Sequence, residues 1–213
     1  MMEGHQNLLL WATMPGEGPH SPSAVTIFQL EIIKQILLAI ERVIWKLRSV
    51  CTLSTCPKMI ASDEWHFLCA PHADKPRDCA AIDYMKHTVD STSSLLLALV
   101  NESPHLLQKQ YPPIIRRLYR IYGHLYFHHP DIFKEEFVTC SRFYHFLKQF
   151  GLFKQDMMII PEYVFGGTAS DAKPAAPQVV GTIVDLRTIT MQLSEEDEED
   201  QESDITVNTG VDM

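Results

Sequence analysis

PPIIRRLYRIYGHLYFHHP, residues 112–130, is the stretch from which the rest of the chain is read. Ile114, Ile115, Leu118, Ile121, Tyr122, Leu125 and Tyr126 recur at helical spacing, the Pro112–Pro113 pair suits a first turn, and Gly123 is the one interruption. At about 100° per residue, Arg116, Arg117, Arg120 and His124 share an arc of roughly 100°, while the apolar set fills most of the opposite side. The stretch predicts an amphipathic helix with one basic face and one face turned to a core.

The histidines that close this helix have candidate partners upstream, in CTLSTC, where Cys51 and Cys56 stand. Two cysteines and two histidines supply the soft sulfur and imidazole donors that tetrahedral zinc favours, and a site closed by four protein ligands is structural. Regular helix geometry pairs His124 with His128 on one face and turns His129 about 140° away. Pro130, however, disfavours α geometry at the residue before it, which lets His129 leave the helix axis. Spacing leaves both histidines open.

With 213 residues and 46% hydrophobic content, the chain can bury one substantial core, so one domain with tails is expected. The net charge of -9 is local. Residues 166–213 hold 11 acidic and 2 basic residues, leaving 16 of each in residues 1–165. A neutral body with a local arginine cluster points to one anionic ligand and away from wrapping nucleic acid. Five cysteines, with no basic residue ahead of the short apolar run Leu8 to Met14, suggest a reducing compartment and a cytosolic protein.

Residues 1–26 lack a sustained period and read as irregular. Ile27, Leu30, Ile33, Leu37, Ile40, Ile44 and Leu47 then keep a helical period. The charges at Glu31, Lys34, Glu41, Arg42, Lys46 and Arg48 favour a buried bundle helix over a membrane span. SDEWHFLCA, with Ser62 as N-cap, predicts a short helix, and PHADKPRD a loop. Ala80 to Val100 predicts a helix with a break at the polar cluster Asp90 to Ser94. Pro104 and Pro112–Pro113 bracket a connecting segment, and Thr139 to Phe150 is a helix stopped by Gly151. No strand-helix alternation appears, so an all-α body spans residues 27–165. The acidic run SEEDEEDQESD marks 166–213 as a disordered tail; Ser194 has acidic neighbours that would suit an acid-directed kinase, but a plain solvated tail is the favoured reading. Taken singly, His66, His87 and His145 read as packing or surface residues, and Cys69, Cys79 and Cys140 as reduced core thiols.

CTLSTC, DEWHFLCA, CAAIDYMKHTVD, RRLYRIYGHLYFHH and FYHFLKQFGL leading to MMIIPE together resemble the Mob family of kinase-associated adaptors, closest to its phocein branch. The resemblance runs from Cys51 to about Glu162; residues 1–26 and the acidic tail lie outside it. It implies a compact helical bundle of Mob type around one structural Zn2+, with Cys51, Cys56, His124 and His129 as ligands. It also implies that Arg116, Arg117 and Arg120 hold phosphothreonine peptides of partner kinases. Guanidinium forks in the N-terminal half of a helix suit that task.

Two function classes follow. The first is a non-catalytic adaptor joining protein kinases to a striatin-like scaffold of a phosphatase-kinase assembly, without nucleic acid or a membrane span. The second is a zinc-dependent hydrolase, which needs an open coordination position and a general base. Four protein ligands and the lack of an HExxH-like carboxylate on the histidine helix weigh against it.

Overall fold

The computed structural model describes residues 19–72, 75–99, 104–152, 154 and 158–166, all within one compact unit. The expectations for residues 1–18 and for the acidic tail from 167 onward, Ser194 included, lie outside these residues. Five α-helices follow in order: α1 Pro22–Leu47, α2 Ala81–Leu99, α3 Pro104–His128, α4 Pro130–Glu135 and α5 Phe137–Gln149. Near the end of the described residues stands a 3-10 turn, Glu162–Phe165. Among the described residues there is no strand, only two isolated bridges, Ile60 with His66 and Cys69 with Arg77.

The central element is α3, which packs against α1, α2 and α4. Tyr111, Ile114, Ile115, Leu118, Tyr119, Ile121, Tyr122 and Leu125 are buried along it. Each such apolar side chain stabilises the fold by about 1.5–3 kcal/mol relative to exposure. The helix begins eight residues before the proline pair, so Pro112 and Pro113 lie inside it instead of opening it. Each removes one N–H, leaving the carbonyls of Gln108 and Lys109 without an i+4 donor. Prolines and both of these residues are exposed, so water can serve those carbonyls.

Around it, α1 starts at Pro22, earlier than its apolar period suggests, because Ser21 caps it: its hydroxyl accepts from the Ala24 N–H at 3.2 Å, with Pro22 at the first position. By length and composition α1 could cross a membrane, yet half of its most apolar window is buried and it packs on α2, α3, α4 and α5. Its outer line carries Ile27, Leu38 and Trp45, all more than half exposed, among Glu31, Lys34, Glu41 and Arg42. α2 runs without the expected break: Thr88 and Thr92 turn inward and are buried, while Asp90, Ser93 and Ser94 face solvent.

SDEWHFLCA does not form a helix. Trp65 N–H bonds to the Ser62 carbonyl at 2.9 Å and Ala61 N–H to the Trp65 carbonyl at 2.9 Å, turning the chain back so that Phe67 N–H reaches Met59 at 2.9 Å. Beyond the turn the side chains alternate, Phe67 and Cys69 inward, His66 and Leu68 outward, which is the period of extended chain.

α5 ends as Gly151 suggests. Leu152 N–H returns to Leu147 O at 2.9 Å and Gly151 N–H to Lys148 O at 3.2 Å, with Gly151 at φ 61°, a Schellman ending that needs the left-handed region. Farther on, Ile159 closes over α3 at Gly123. A Cβ there would stand 2.8 Å from Ile159 Cγ2, so the helix carries a glycine where the returning chain touches its backbone.

Candidate metal centre and basic face

The end of α1 delivers Cys51: its N–H bonds to the Leu47 carbonyl at 2.8 Å as the helix unwinds. A tight turn then brings back Cys56, whose N–H bonds to Thr52 O at 2.8 Å, while Thr55 Oγ1 donates to Val50 O at 2.7 Å. Cys56 O in turn accepts from Ala81 N–H at 3.0 Å, tying the turn to the start of α2.

From the other side, α3 supplies His124, fully buried, and the corner after it supplies His129. His129 adopts φ -137°, ψ 62°, outside helical geometry, where Pro130 opens α4. Lys46 near the end of α1 bonds Glu135 at 2.7 Å and Glu136 at 2.8 Å, so the corner that carries His129 is fastened to the helix that delivers Cys51.

One donor atom from each of Cys51, Cys56, His124 and His129 lies within 4.8 Å of the others. Cys51 Sγ is 3.6 Å from His124 Nε2, and Cys56 Sγ is 3.5 Å from His129 Nε2. A zinc tetrahedron with bonds of about 2.3 Å to sulfur and about 2.0–2.1 Å to nitrogen has sulfur–nitrogen edges of about 3.6 Å. The residues therefore fit such an ion.

The tautomer fits as well. His124 Nδ1 stands 2.6 Å from the Ile60 carbonyl, which can only accept, so Nδ1 carries the proton and Nε2 keeps its lone pair toward the sulfurs. Burial lowers His124 to about 4, which keeps the imidazole neutral. Burial, reinforced by Cys56, pushes the Cys51 thiol up to about 12, so an ion binding there must displace the thiol proton. His128 stacks on His124 at 4.6 Å and faces the Ala61 backbone, outside the four-residue group.

The arginines lie earlier on α3. Arg116 is exposed, whereas Arg117 and Arg120 are half-buried. The Arg120 guanidinium lies 4.6 Å over the Phe67 ring and donates to Tyr84 Oη at 3.4 Å, which holds it in place. Arg117 Nε is buried without a hydrogen-bond acceptor among the described residues. One face of α3 thus presents an oriented guanidinium, a buried unsatisfied donor and a free-standing charge within two turns.

A second gathering was not anticipated from sequence. Cys69, His72, Cys79 and His87 also bring one donor atom each within 4.8 Å of one another. Cys69 and Cys79, read singly as reduced core thiols, are free thiols here, Cys69 buried and Cys79 half-buried, and with His72 and His87 they make up this group.

Comparisons with known proteins agree with the helical body. The sequence model of the Mob1/phocein family matches residues 28–161. MOB kinase activator-like 4 of Drosophila melanogaster is 35% identical over 143 residues, covering 63% of this chain and 64% of the relative. MOB-like protein phocein of Caenorhabditis elegans is 33% identical over 144 residues, with the same coverage. DBF2 kinase activator protein MOB1 of Saccharomyces cerevisiae is 30% identical over 128 residues, covering 54% of this chain and 40% of the relative. The matched region therefore spans less than two-thirds of each of these relatives.

Proposed function

The chain belongs to the Mob1/phocein family, and we propose that it acts as a non-catalytic, zinc-containing adaptor of the cytosol. In this reading Cys51, Cys56, His124 and His129 hold one structural Zn2+, and Arg116, Arg117 and Arg120 hold the phosphothreonine of a partner protein kinase. Another surface meets a striatin-like scaffold. The relatives named as kinase activators support a kinase partner.

The observation that carries the phosphate reading is the state of the arginine face. Arg117 Nε is buried without an acceptor, beside an Arg120 held on Phe67 and Tyr84 and an exposed Arg116. A buried guanidinium donor left unsatisfied costs stability unless a ligand or water meets it, and a phosphate dianion offers several strong acceptor oxygens.

The zinc would supply a crosslink among the end of α1, the turn after it and the end of α3. Four protein donors complete a tetrahedron and leave no position for an activated water, which disfavours the hydrolase alternative.

The test is calorimetry with matched phosphorylated and unphosphorylated threonine peptides from candidate kinases. Arg120→Ala is expected to weaken the phosphopeptide by roughly tenfold or more, since a charge-assisted hydrogen bond contributes about 1.5–3 kcal/mol. The metal content should stay unchanged. Equal affinity for both peptide forms in the wild type would remove the phosphate reading.

A further inference from the structure

Arg116, Arg117 and Arg120 stand within two turns of α3, yet among the described residues none of them is paired with a carboxylate. Like charges so placed repel one another, and on flexible stems they spread into solvent. Arg120 is held instead. Its guanidinium lies 4.6 Å over the Phe67 ring, and its Nη1 donates to Tyr84 Oη at 3.4 Å. Phe67 comes from the extended segment and Tyr84 from the first turn of α2, so three parts of the fold converge on one side chain.

Both supports are themselves fixed. Phe67 is 5% exposed and Tyr84 1%. Phe67 N–H bonds to Met59 O at 2.9 Å and its ring meets that of Trp65 at 6.2 Å, while Tyr84 N–H bonds to Ala80 O at 2.9 Å. Burial raises the Tyr84 phenol, with Arg120 and Arg117 pulling the other way, so the group stays neutral and both guanidiniums lie in its neighbourhood. A carboxylate in that place would orient Arg120 but cancel its charge. A phenyl face and a neutral phenol orient it and leave the charge for a ligand.

We propose that Tyr84 and Phe67 are positioning residues that hold Arg120 as a fixed, uncancelled fork, and that this brace makes the arginine face select a phosphorylated side chain over a carboxylate. The inference rests on the phosphopeptide reading of this face and adds what discriminates the ligand. Buried as they are, Tyr84 and Phe67 act through Arg120 and not by touching the ligand. A tetrahedral phosphate has three free oxygens, arranged to meet Arg116, the buried Arg117 Nε–H and Arg120 together, whereas the two coplanar oxygens of a glutamate suit a single fork and carry less charge. With Arg120 loose, the face attracts either anion by charge, and the geometry that separates them is lost.

The experiment is calorimetry of the full-length chain with one peptide from a candidate kinase in three forms, carrying threonine, phosphothreonine or glutamate. The proteins compared are the wild type, Tyr84→Phe, Phe67→Leu and Arg120→Lys. The wild type is expected to prefer phosphothreonine to glutamate by roughly tenfold or more. Tyr84→Phe removes only a hydroxyl, and should weaken the phosphothreonine peptide about five- to tenfold while changing the glutamate peptide by less than about twofold. Phe67→Leu should act in the same direction by about two- to fivefold. Arg120→Lys keeps the charge without the fork, and should lose the preference as well. Nitrogen-spin relaxation of the Arg120 Nε–H supplies a readout that general support of the fold does not move: it should report an ordered group in the wild type and a mobile one in Tyr84→Phe, with helical circular dichroism unchanged. A wild type that prefers phosphothreonine to glutamate, with the same ratio in Tyr84→Phe and in Phe67→Leu, overturns the brace and leaves the phosphate reading standing. A wild type that binds the threonine and phosphothreonine forms alike removes both.

Discussion

The two Cys/His groups use the same donors but sit in different mechanical settings. Cys51, Cys56 and His124 are buried, and their backbones belong to the end of α1, a turn bonded to α2, and the central helix. Cys69 alone of the second group is buried, and Cys69, His72 and Cys79 all come from the segment ahead of α2. The first group therefore joins elements that build the core, whereas the second lies where that segment meets α2. The lesson is that the same four side-chain types can stand at a keystone or at a margin, and their burial tells which.

The largest expected difference is in stability. Cys51→Ala removes a buried donor from a site where metal and folding free energies are coupled, and is expected to lower the unfolding midpoint by more than about 10 °C with loss of one ion. His87→Ala, at a half-exposed member of the second group, should lower the midpoint by only about 2–4 °C, the shift that about 1 kcal/mol produces in a chain of this size. Scanning calorimetry of both variants checks the pair; equal shifts would break the contrast.

Next in size is the choice of ligand at the corner after α3. His129→Ala is expected to weaken zinc binding at the first group by about tenfold or more, whereas His128→Ala, which loses a stacked ring and a contact with the Ala61 backbone, should bind as the wild type does. Competition with a chelator of known affinity measures both.

The smallest effect concerns the carboxylate that opens the 3-10 turn. Glu162 accepts from Lys148 at 2.8 Å and from Tyr144 Oη, and these contacts hold its carboxyl below the usual 4.5. Its folded value lies below its unfolded one, so its contribution is present above about 4.5 and is lost as pH falls through the folded value. Glu162→Gln should therefore flatten the acid limb of the stability profile below about pH 4.5 and leave zinc content unchanged. Denaturant melts across pH 3–6 would show it.

Much of this architecture was legible in the sequence. The apolar period of α3 and the charges on one arc marked an amphipathic helix with a basic face, and Pro130 pointed to the departure of His129 from the helix axis. Boundaries were harder. Ser21 with Pro22 is a start signal ahead of the first apolar repeat, and the proline pair at 112–113 reads as a beginning, although exposed prolines can lie inside a helix. The segment from 57 to 80 resisted for a different reason. Its cap-like Ser62 and acidic neighbours suggested a helix, while the inward Phe67 and Cys69 set a period of two.

The second group was hidden because its members come from both sides of a loop whose pairing only the fold creates. The spacing Cys-x2-His followed by Cys-x7-His was the available signal, but read singly each residue has an ordinary role.

Chelation of the full-length chain, with bound zinc followed by native mass spectrometry and helix content by circular dichroism, tests the structural role proposed for the first group most directly. The account predicts that removal of the ion from Cys51, Cys56, His124 and His129 coincides with loss of helix. A helical signal that persists after all zinc has left would contradict it.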